Sequence, residues 1–204
     1  ATCDHVIDSS RKMREGYLIV ADQEGNVFPV TSVIARSAAM DAALIRVEGA
    51  DFRPLALNGG VGQGAYAYCY SSPLGQLGYF SEGIVNRFLW DRAYRGGEKD
   101  TLDAARFLRV NFSTDWAPGS SGSAVVDDAG NAIGHVSQIA GLSGGKNTQP
   151  MITLHTGIPA HSVRLLAEAA ANPEEIACLA KLEAGEKGSK TLAADEEKSG
   201  ESEE

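Results

Sequence analysis

The chain has 204 residues, of which 43% are hydrophobic, and it contains 23 Gly and 7 Pro. This composition suits one globular domain or two small halves that share an interface. The formal net charge is -9 without a basic stripe, which argues against nucleic acid or an anionic membrane surface as a partner. No apolar run approaches the roughly 18 residues that a membrane span needs. Three cysteines without metal-ligand spacing predict neither a disulfide scaffold nor a zinc site: Cys3, Cys69 and Cys178.

Nine short runs of apolar and β-branched residues follow one another along the first three quarters of the chain. Clusters of Gly, Asn, Asp and Pro separate them, as expected for turns between strands. The runs are Tyr17 to Val20, Val27 to Ile34, Ala43 to Val47, Ala65 to Tyr70, Gly83 to Phe88, Phe107 to Phe112, Ser123 to Val126, Ala132 to Ile139 and Met151 to Ile158. So many short strands predict an antiparallel sandwich or barrel.

The pattern becomes helical after Pro159. Its apolar residues recur at helical spacing and lie on one face: Val163, Leu165, Leu166 and Ala169. Asn172 is suited to cap a second short helix, with Pro173 in the first turn. From Gly185 onward almost nothing can be buried, so a disordered acidic tail is predicted.

The stretch Ala117-Pro118-Gly119-Ser120-Ser121-Gly122-Ser123-Ala124 places Ser121 in a turn bracketed by glycines, between two apolar runs. Without a Cβ, Gly119 can turn its backbone N–H into a small concavity, and the N–H of Ser121 can point the same way. Two such donors form an oxyanion hole. Most Gly-Ser turns are only turns, so the rest of the chain must decide.

A serine hydroxyl needs a base that takes its proton, and a carboxylate that fixes the tautomer of that base. Among the histidines, His5 lies in Thr2-Cys3-Asp4-His5-Val6, and Asp41 opens the apolar run Asp41 to Val47. His5 and Asp41 are therefore the candidate base and carboxylate for Ser121.

These motifs resemble those of the chymotrypsin-like serine peptidases, particularly the bacterial branch of the HtrA and V8-like enzymes. Thr2 to Val6 matches the family's T-x-x-H-V, and Asp41 to Ile45 matches D-x-A-L-[IL]. Gly119 to Ala124 matches G-x-S-G-[GS]-[PA]. Ser72 to Gly75 and Ser81 to Val85 are similar to the strands that open the second barrel. The order His, Asp, Ser is also that of the family.

The resemblance implies an all-β chain of two antiparallel six-stranded barrels, with an active site between them and a C-terminal helix. In this reading Ser121 attacks the substrate, His5 is the general base and then acid, and Asp41 orients His5. Gly119 and Ser121 supply the oxyanion hole. The implied function is a secreted or periplasmic serine endopeptidase that cleaves a polypeptide through an acyl-enzyme, without metal or cofactor.

The same resemblance divides the chain into a partial N-terminal barrel (1–75), a C-terminal barrel (76–159), helices (160–182) and the acidic tail (183–204). Only four residues precede His5, fewer than the about five of a typical strand, so the expectation is either a fragment of a longer protein or an open, incomplete N-terminal barrel. An open barrel weakens the packing that must hold His5 near Ser121, so impaired activity of this chain is part of the expectation.

Three further residues are candidate contacts to substrate. Asp115 lies six residues before Ser121, where trypsin-like relatives place the acid that selects Arg or Lys. His135 and Ser137 lie on one face of a strand that lines the specificity pocket in the family. A structural role for His135 is the alternative.

Two other functions compete with this one. An α/β-hydrolase elbow would use Ser121, Asp127 and His155, but Ser123 stands where that motif needs its second glycine. A catalytically silent peptidase-fold protein, which binds peptides or partners through the same cleft, is the other alternative.

Overall fold

A computed structural model describes residues 1–11, 18–22, 24–99, 101–143 and 149–184. The strands are β1 (Ile19–Ala21), β2 (Val27–Ser37), β3 (Ala42–Val47), β4 (Tyr66–Ser71), β5 (Tyr79–Trp90), β6 (Leu108–Phe112), β7 (Ala124–Val126), β8 (Ala132–Leu142) and β9 (Ile152–Pro159). The helices are α1 (Asp4–Arg11), α2 (Leu102–Ala105), α3 (Ala160–Ala170) and α4 (Pro173–Glu183), with a 3₁₀ turn at Pro73–Gly75. A strand lies in each of the nine predicted regions, although Tyr17 falls outside the described residues. No described helix is long and apolar enough to cross a membrane.

Six strands form a closed antiparallel barrel in the order β4-β5-β6-β9-β8-β7. The alternation in β4 shows which of its side chains face the barrel interior. Ala67 and Cys69 point inward, whereas Tyr66 and Tyr70 remain exposed. The barrel core is formed by buried residues from several strands: Ala67, Cys69, Val85, Val110, Phe112, Trp116, Val125, Ile133 and Val136. Strand β4 pairs with both β5 and β7, so this barrel begins upstream of the predicted boundary at residue 75.

The remaining three strands form a separate antiparallel sheet in the order β1-β2-β3. The predicted second six-stranded barrel is therefore not confirmed within the described residues, and neither is its expected incompleteness. A second core lies between this sheet, β9 and the helices, and it contains Ala35, Met40, Ala42, Ala105, Ile158, Val163, Leu166 and Leu179. The two halves of the chain thus share an apolar interface.

Both predicted C-terminal helices are present, and the predicted cap of the second one is confirmed. The side chain of Asn172 accepts a hydrogen bond from the backbone N–H of Glu174, and Pro173 occupies the first turn. Leu179 on this helix is buried against the second core.

Glu183 corrects the predicted start of the acidic tail. It is the last residue of α4 and accepts hydrogen bonds from Ser37 Oγ at 2.6 Å and from the backbone N–H of Ala38 at 3.0 Å. Its carboxylate also pairs with Arg106 Nε at 2.9 Å. A helix end therefore fastens the turn between β2 and β3, whereas the tail predicted from Gly185 lies outside the described residues.

Candidate active site

Three side chains from distant parts of the sequence meet at the junction of the sheet and the barrel. His5 Nε2 lies 2.9 Å from Ser121 Oγ. On the other side of the ring, His5 Nδ1 lies 2.9 Å and 3.0 Å from the two carboxylate oxygens of Asp41. The structure therefore brings together the three residues that the sequence selected.

The turn around Ser121 requires glycine at two positions. Gly119 has a φ of 103°, and a Cβ there would lie 2.7 Å from the carbonyl oxygen of Ser72. Gly122 has a φ of 85°, and a Cβ there would lie 2.6 Å from Thr2 Oγ1. Residues with a side chain rarely adopt this backbone conformation, and a side chain at either position would also collide with its neighbours. Both glycines are therefore structural requirements of the turn.

The backbone donors of the same turn fall into two groups. The N–H of Ser120 donates to Ala117 O at 3.0 Å, and the N–H of Gly122 donates to the carbonyl oxygen of Val136 at 2.9 Å. Within the described part of the chain, the N–H groups of Gly119 and Ser121 donate no hydrogen bond. Two free donors beside the hydroxyl match what an oxyanion hole needs.

Asp41 is held in an unusual backbone conformation, with a φ of 61° in the turn before β3. Aspartate tolerates this left-handed region better than most residues. Its carboxylate, only 10% exposed, accepts hydrogen bonds from the backbone N–H of His5 at 3.1 Å and from Ser137 Oγ at 2.5 Å. These contacts direct it at Nδ1 of the imidazole, which leaves Nε2 free to accept a proton from Ser121.

The short segment before His5 is fastened on both sides. Thr2 pairs with Ala43 of β3 through two backbone hydrogen bonds, of 2.9 Å and 2.8 Å. The Cys3 thiol donates to a backbone carbonyl of β8 at 2.9 Å. Asp4, which is buried, forms a two-point ion pair with Arg36 of β2. His5 is thus held by its neighbours in the sequence, although the predicted second barrel is not confirmed.

Two buried titratable groups lie in this segment or against it: the Cys3 thiol and the His135 imidazole. Burial and the nearby Asp41 carboxylate raise the pKa of the Cys3 thiol above its usual range. His135, 5% exposed, has its Nδ1 3.1 Å from the carbonyl oxygen of Val136 and 3.7 Å from Cys3 Sγ. Burial lowers the pKa of His135 to about 4. Its Nε2 is buried without a hydrogen-bond partner among the described residues.

The structure shows the surroundings of the predicted substrate-binding pair on β8. His135 and Ser137 share a face of the strand, as expected, but both are buried and bind internal partners. Ser137 supports Asp41, and His135 packs beneath the N-terminal segment. Contact of these two residues with substrate stays a prediction, as does the structural alternative for His135.

Asp115 is exposed, and its backbone carbonyl accepts a hydrogen bond from Ser81 Oγ at 2.9 Å. The next residue, Trp116, is buried in the barrel core, where its indole N–H donates to Gln138 O at 3.2 Å. Selection of Arg or Lys by Asp115 stays a prediction.

The alternative hydrolase elbow is not assembled. Ser121 bonds to His5, while His155 is buried on β9 with its ring centroid 5.0 Å from that of Trp116. Asp127 accepts hydrogen bonds from Asn58 and from its own hairpin turn. The segment after Ser121 runs into β7 and that hairpin, whereas the elbow requires a helix.

A cleft of about 500 Å³ opens beside His5. Its walls combine acidic, basic and neutral residues: Asp4, His5, Asp8, Arg36, Ala38, Asp41 and Gln138. The possible ligand atoms of Cys3, His5 and Asp41 all lie within 4.8 Å of one another. Among the described residues, these three side chains form the cluster that could hold a metal ion.

Sequence reasoning missed the residues that support the triad. Cys3 and Asp4 stand inside the motif of the base, but nothing in the sequence indicates their partners. No local pattern marks Arg36 or Glu183 as partners. Ser137 was singled out, but for a different contact.

Comparison with known proteins identifies the family of the chain. The trypsin-like peptidase domain family matches residues 1–134. The chain belongs to this family. No curated protein matches the chain by sequence.

Solved structures of HtrA-type proteases share its fold. The HtrA-type protease AlgW with a decapeptide matches with a TM-score of 0.61 and 20% identity, over 83% of this chain and 46% of that one. AlgW with a tripeptide matches equally well, over 83% and 50%. The S227A form of AlgW with a decapeptide matches with a TM-score of 0.61 and 20% identity, over 85% and 47%. The chain thus spans about half the length of these proteases.

Proposed function

We propose that this trypsin-like peptidase domain is a serine endopeptidase that works through a Ser121, His5 and Asp41 triad and an acyl-enzyme. The observation that carries the proposal is the imidazole of His5, which lies within hydrogen-bond distance of both Ser121 Oγ and the Asp41 carboxylate. Membership of the peptidase family supports the reaction class.

In the first step, His5 Nε2 takes the hydroxyl proton as Ser121 Oγ attacks the carbonyl carbon of the scissile bond. The developing oxyanion accepts hydrogen bonds from the N–H groups of Gly119 and Ser121. His5 then gives the proton to the leaving amine, and the acyl group remains on Ser121. A water molecule, activated by the same imidazole, releases the acid product and restores the hydroxyl.

Asp41 contributes by holding one tautomer and stabilising the imidazolium that forms in each step. The hydrogen bond from Ser137 and the backbone N–H of His5 keep its carboxylate aimed at Nδ1. Movement of this carboxylate would leave Nδ1 without an acceptor when the ring becomes charged. Ser137 is therefore a positioning residue in this mechanism.

The proposed substrate is a polypeptide. The similar HtrA-type structures hold a decapeptide or a tripeptide, which supports this substrate class. The secreted or periplasmic location stays a prediction.

A fluorophosphonate probe, which reacts covalently with activated serines, tests the proposal. We expect labelling of the wild-type chain, loss of labelling in Ser121→Ala and retention in Ser123→Ala. Ser123 is the matched control because it lies in the same turn, where its backbone N–H donates to Ser120 O at 3.0 Å. A folded wild-type chain that takes no label would favour the silent peptide-binding alternative.

A further inference from the structure

Cys3 stands beside the candidate triad with no role in the proposed chemistry. Its Sγ and the possible ligand atoms of His5 and Asp41 all lie within 4.8 Å of one another. The thiol is buried, but its surroundings are polar: it donates to the carbonyl oxygen of Val136 and lies 3.7 Å from Nδ1 of His135. A thiol, an imidazole and a carboxylate therefore converge on one point, on the side of His5 that faces Asp41.

This donor set is the one that Zn²⁺ prefers, since zinc combines thiolate sulfur, imidazole nitrogen and carboxylate oxygen in one coordination sphere. One thiolate and one carboxylate also balance the two positive charges of the ion. The side chain of His5 is 48% exposed, which gives an entry route from solvent. Three protein ligands leave a fourth position open to water.

We propose that Cys3, His5 and Asp41 form a Zn²⁺ site that switches the peptidase off. The binding of the ion stands on the geometry alone, whereas its inhibitory effect rests on the proposed triad. The site shares His5 and Asp41 with the proposed triad, but the ion takes part in no step of the reaction.

Inhibition follows from where the protons go. Zn²⁺ replaces the proton of the Cys3 thiol, which leaves to solvent, because a coordinating thiol is deprotonated. Because Nδ1 of His5 coordinates the ion, its proton is also lost. Nε2 takes up a proton, so that the ring stays neutral. A protonated Nε2 cannot accept the proton of Ser121. The Asp41 carboxylate then binds the metal instead of accepting a hydrogen bond from Nδ1. The nucleophile loses its base without any change in oxidation state.

The position of Cys3 separates it from the other two cysteines. Cys69 is buried in the barrel core, and Cys178 is exposed on α4. Neither is in the metal-ligand cluster found among the described residues. Cys178→Ser is therefore a matched control that removes a thiol elsewhere.

Calorimetric titration with ZnCl₂ tests the binding. We expect one ion per wild-type chain, unchanged binding in Cys178→Ser, and an affinity lowered by more than about tenfold in Cys3→Ser. Co²⁺ provides a second readout in the wild-type chain, because a cobalt–thiolate bond gives a charge-transfer absorption in the near ultraviolet. That band should persist in the Cys69→Ser/Cys178→Ser double variant, in which Cys3 is the last thiol.

Inhibition is measured as the rate of fluorophosphonate labelling with and without ZnCl₂, each variant relative to its own metal-free rate. Zinc should suppress labelling in the wild type and Cys178→Ser, and much less in Cys3→Ser. Equal zinc affinity in Cys3→Ser and the wild type, or no cobalt–thiolate band, would overturn the site. Metal binding with no labelling of the metal-free chain would instead count against the proposed peptidase activity.

Discussion

The barrel and the three-stranded sheet hold their parts of the candidate site by different means. The barrel is closed, so every strand is paired on both sides, and it presents Ser121 and the free N–H groups from a turn fixed by two glycines. The sheet is open, and charged contacts to Arg36 and Glu183 fasten its Asp41 turn and the N-terminal segment, in addition to the backbone pairing of Thr2 with Ala43. The nucleophile thus depends on packing and backbone geometry, whereas the base depends on charged contacts as well.

The sharpest test of the sheet side is Asp41→Asn. The amide preserves the shape of the side chain but no longer holds Nδ1 as the protonated nitrogen, so kcat/KM for a peptide substrate should fall about 10⁴-fold. Thermal unfolding should confirm that the variant is folded. A loss below about tenfold would show that the sheet does not position the base.

On the barrel side, the corresponding change is Gly119→Ala. Its Cβ would lie 2.7 Å from Ser72 O, so the turn must shift and an oxyanion donor is displaced. We expect kcat to fall about 10²-fold to 10³-fold. Gly130→Ala is the control, because Gly130 has a similar φ of 80° but open space around it, and it should affect stability alone.

Arg36→Met tests the charged fastening of the sheet. Removal of the guanidinium leaves the buried Asp4 carboxylate without its partner, which should lower the free energy of unfolding by about 2 kcal/mol. Urea denaturation measures this loss. The exposed Arg46, changed to Met, should stay within about 0.5 kcal/mol of the wild type. Equal losses in the two variants would mean that the ion pair contributes nothing.

The contact between the two regions should respond to pH through His135. Because burial lowers its pKa to about 4 from an ordinary 6.5, the unfolded chain binds the proton more readily. Its contribution to stability is complete above pH 6.5 and is lost as pH falls toward 4, with about 2 kcal/mol lost between pH 7 and pH 5. Urea denaturation at both pH values should show a smaller difference in His135→Asn. An identical difference would contradict this account.

The fold and the site were predictable from the sequence to different extents. Local patterns predicted the nine strand regions, because alternation such as Tyr66-Ala67-Tyr68-Cys69 directly reports which side chains face a core. Motifs also selected His5, Asp41 and Ser121. The pairing of β4 with β7 was not predictable, since no local signal specifies a partner strand so far along the chain.

The supporting contacts escaped prediction for a related reason. Ser137 and Asp41 are 96 residues apart, and a lone serine carries no sign of the carboxylate it will meet. Asp4 and Arg36 look like ordinary surface charges until the fold buries one of them. The acidic run that follows Glu183 places it in the predicted tail, although its own partners are Ser37, Ala38 and Arg106, far away in the sequence.

The position of Glu183 also has a consequence during synthesis. The turn that carries Asp41 receives the Glu183 carboxylate at the backbone N–H of Ala38, 145 residues earlier in the chain. A nascent chain that has reached only the end of the barrel already contains His5, Asp41 and Ser121, but it lacks this support. Both C-terminal helices must therefore leave the ribosome before the turn that carries Asp41 is fully supported. The candidate site is thus least well held while the chain is still being synthesised.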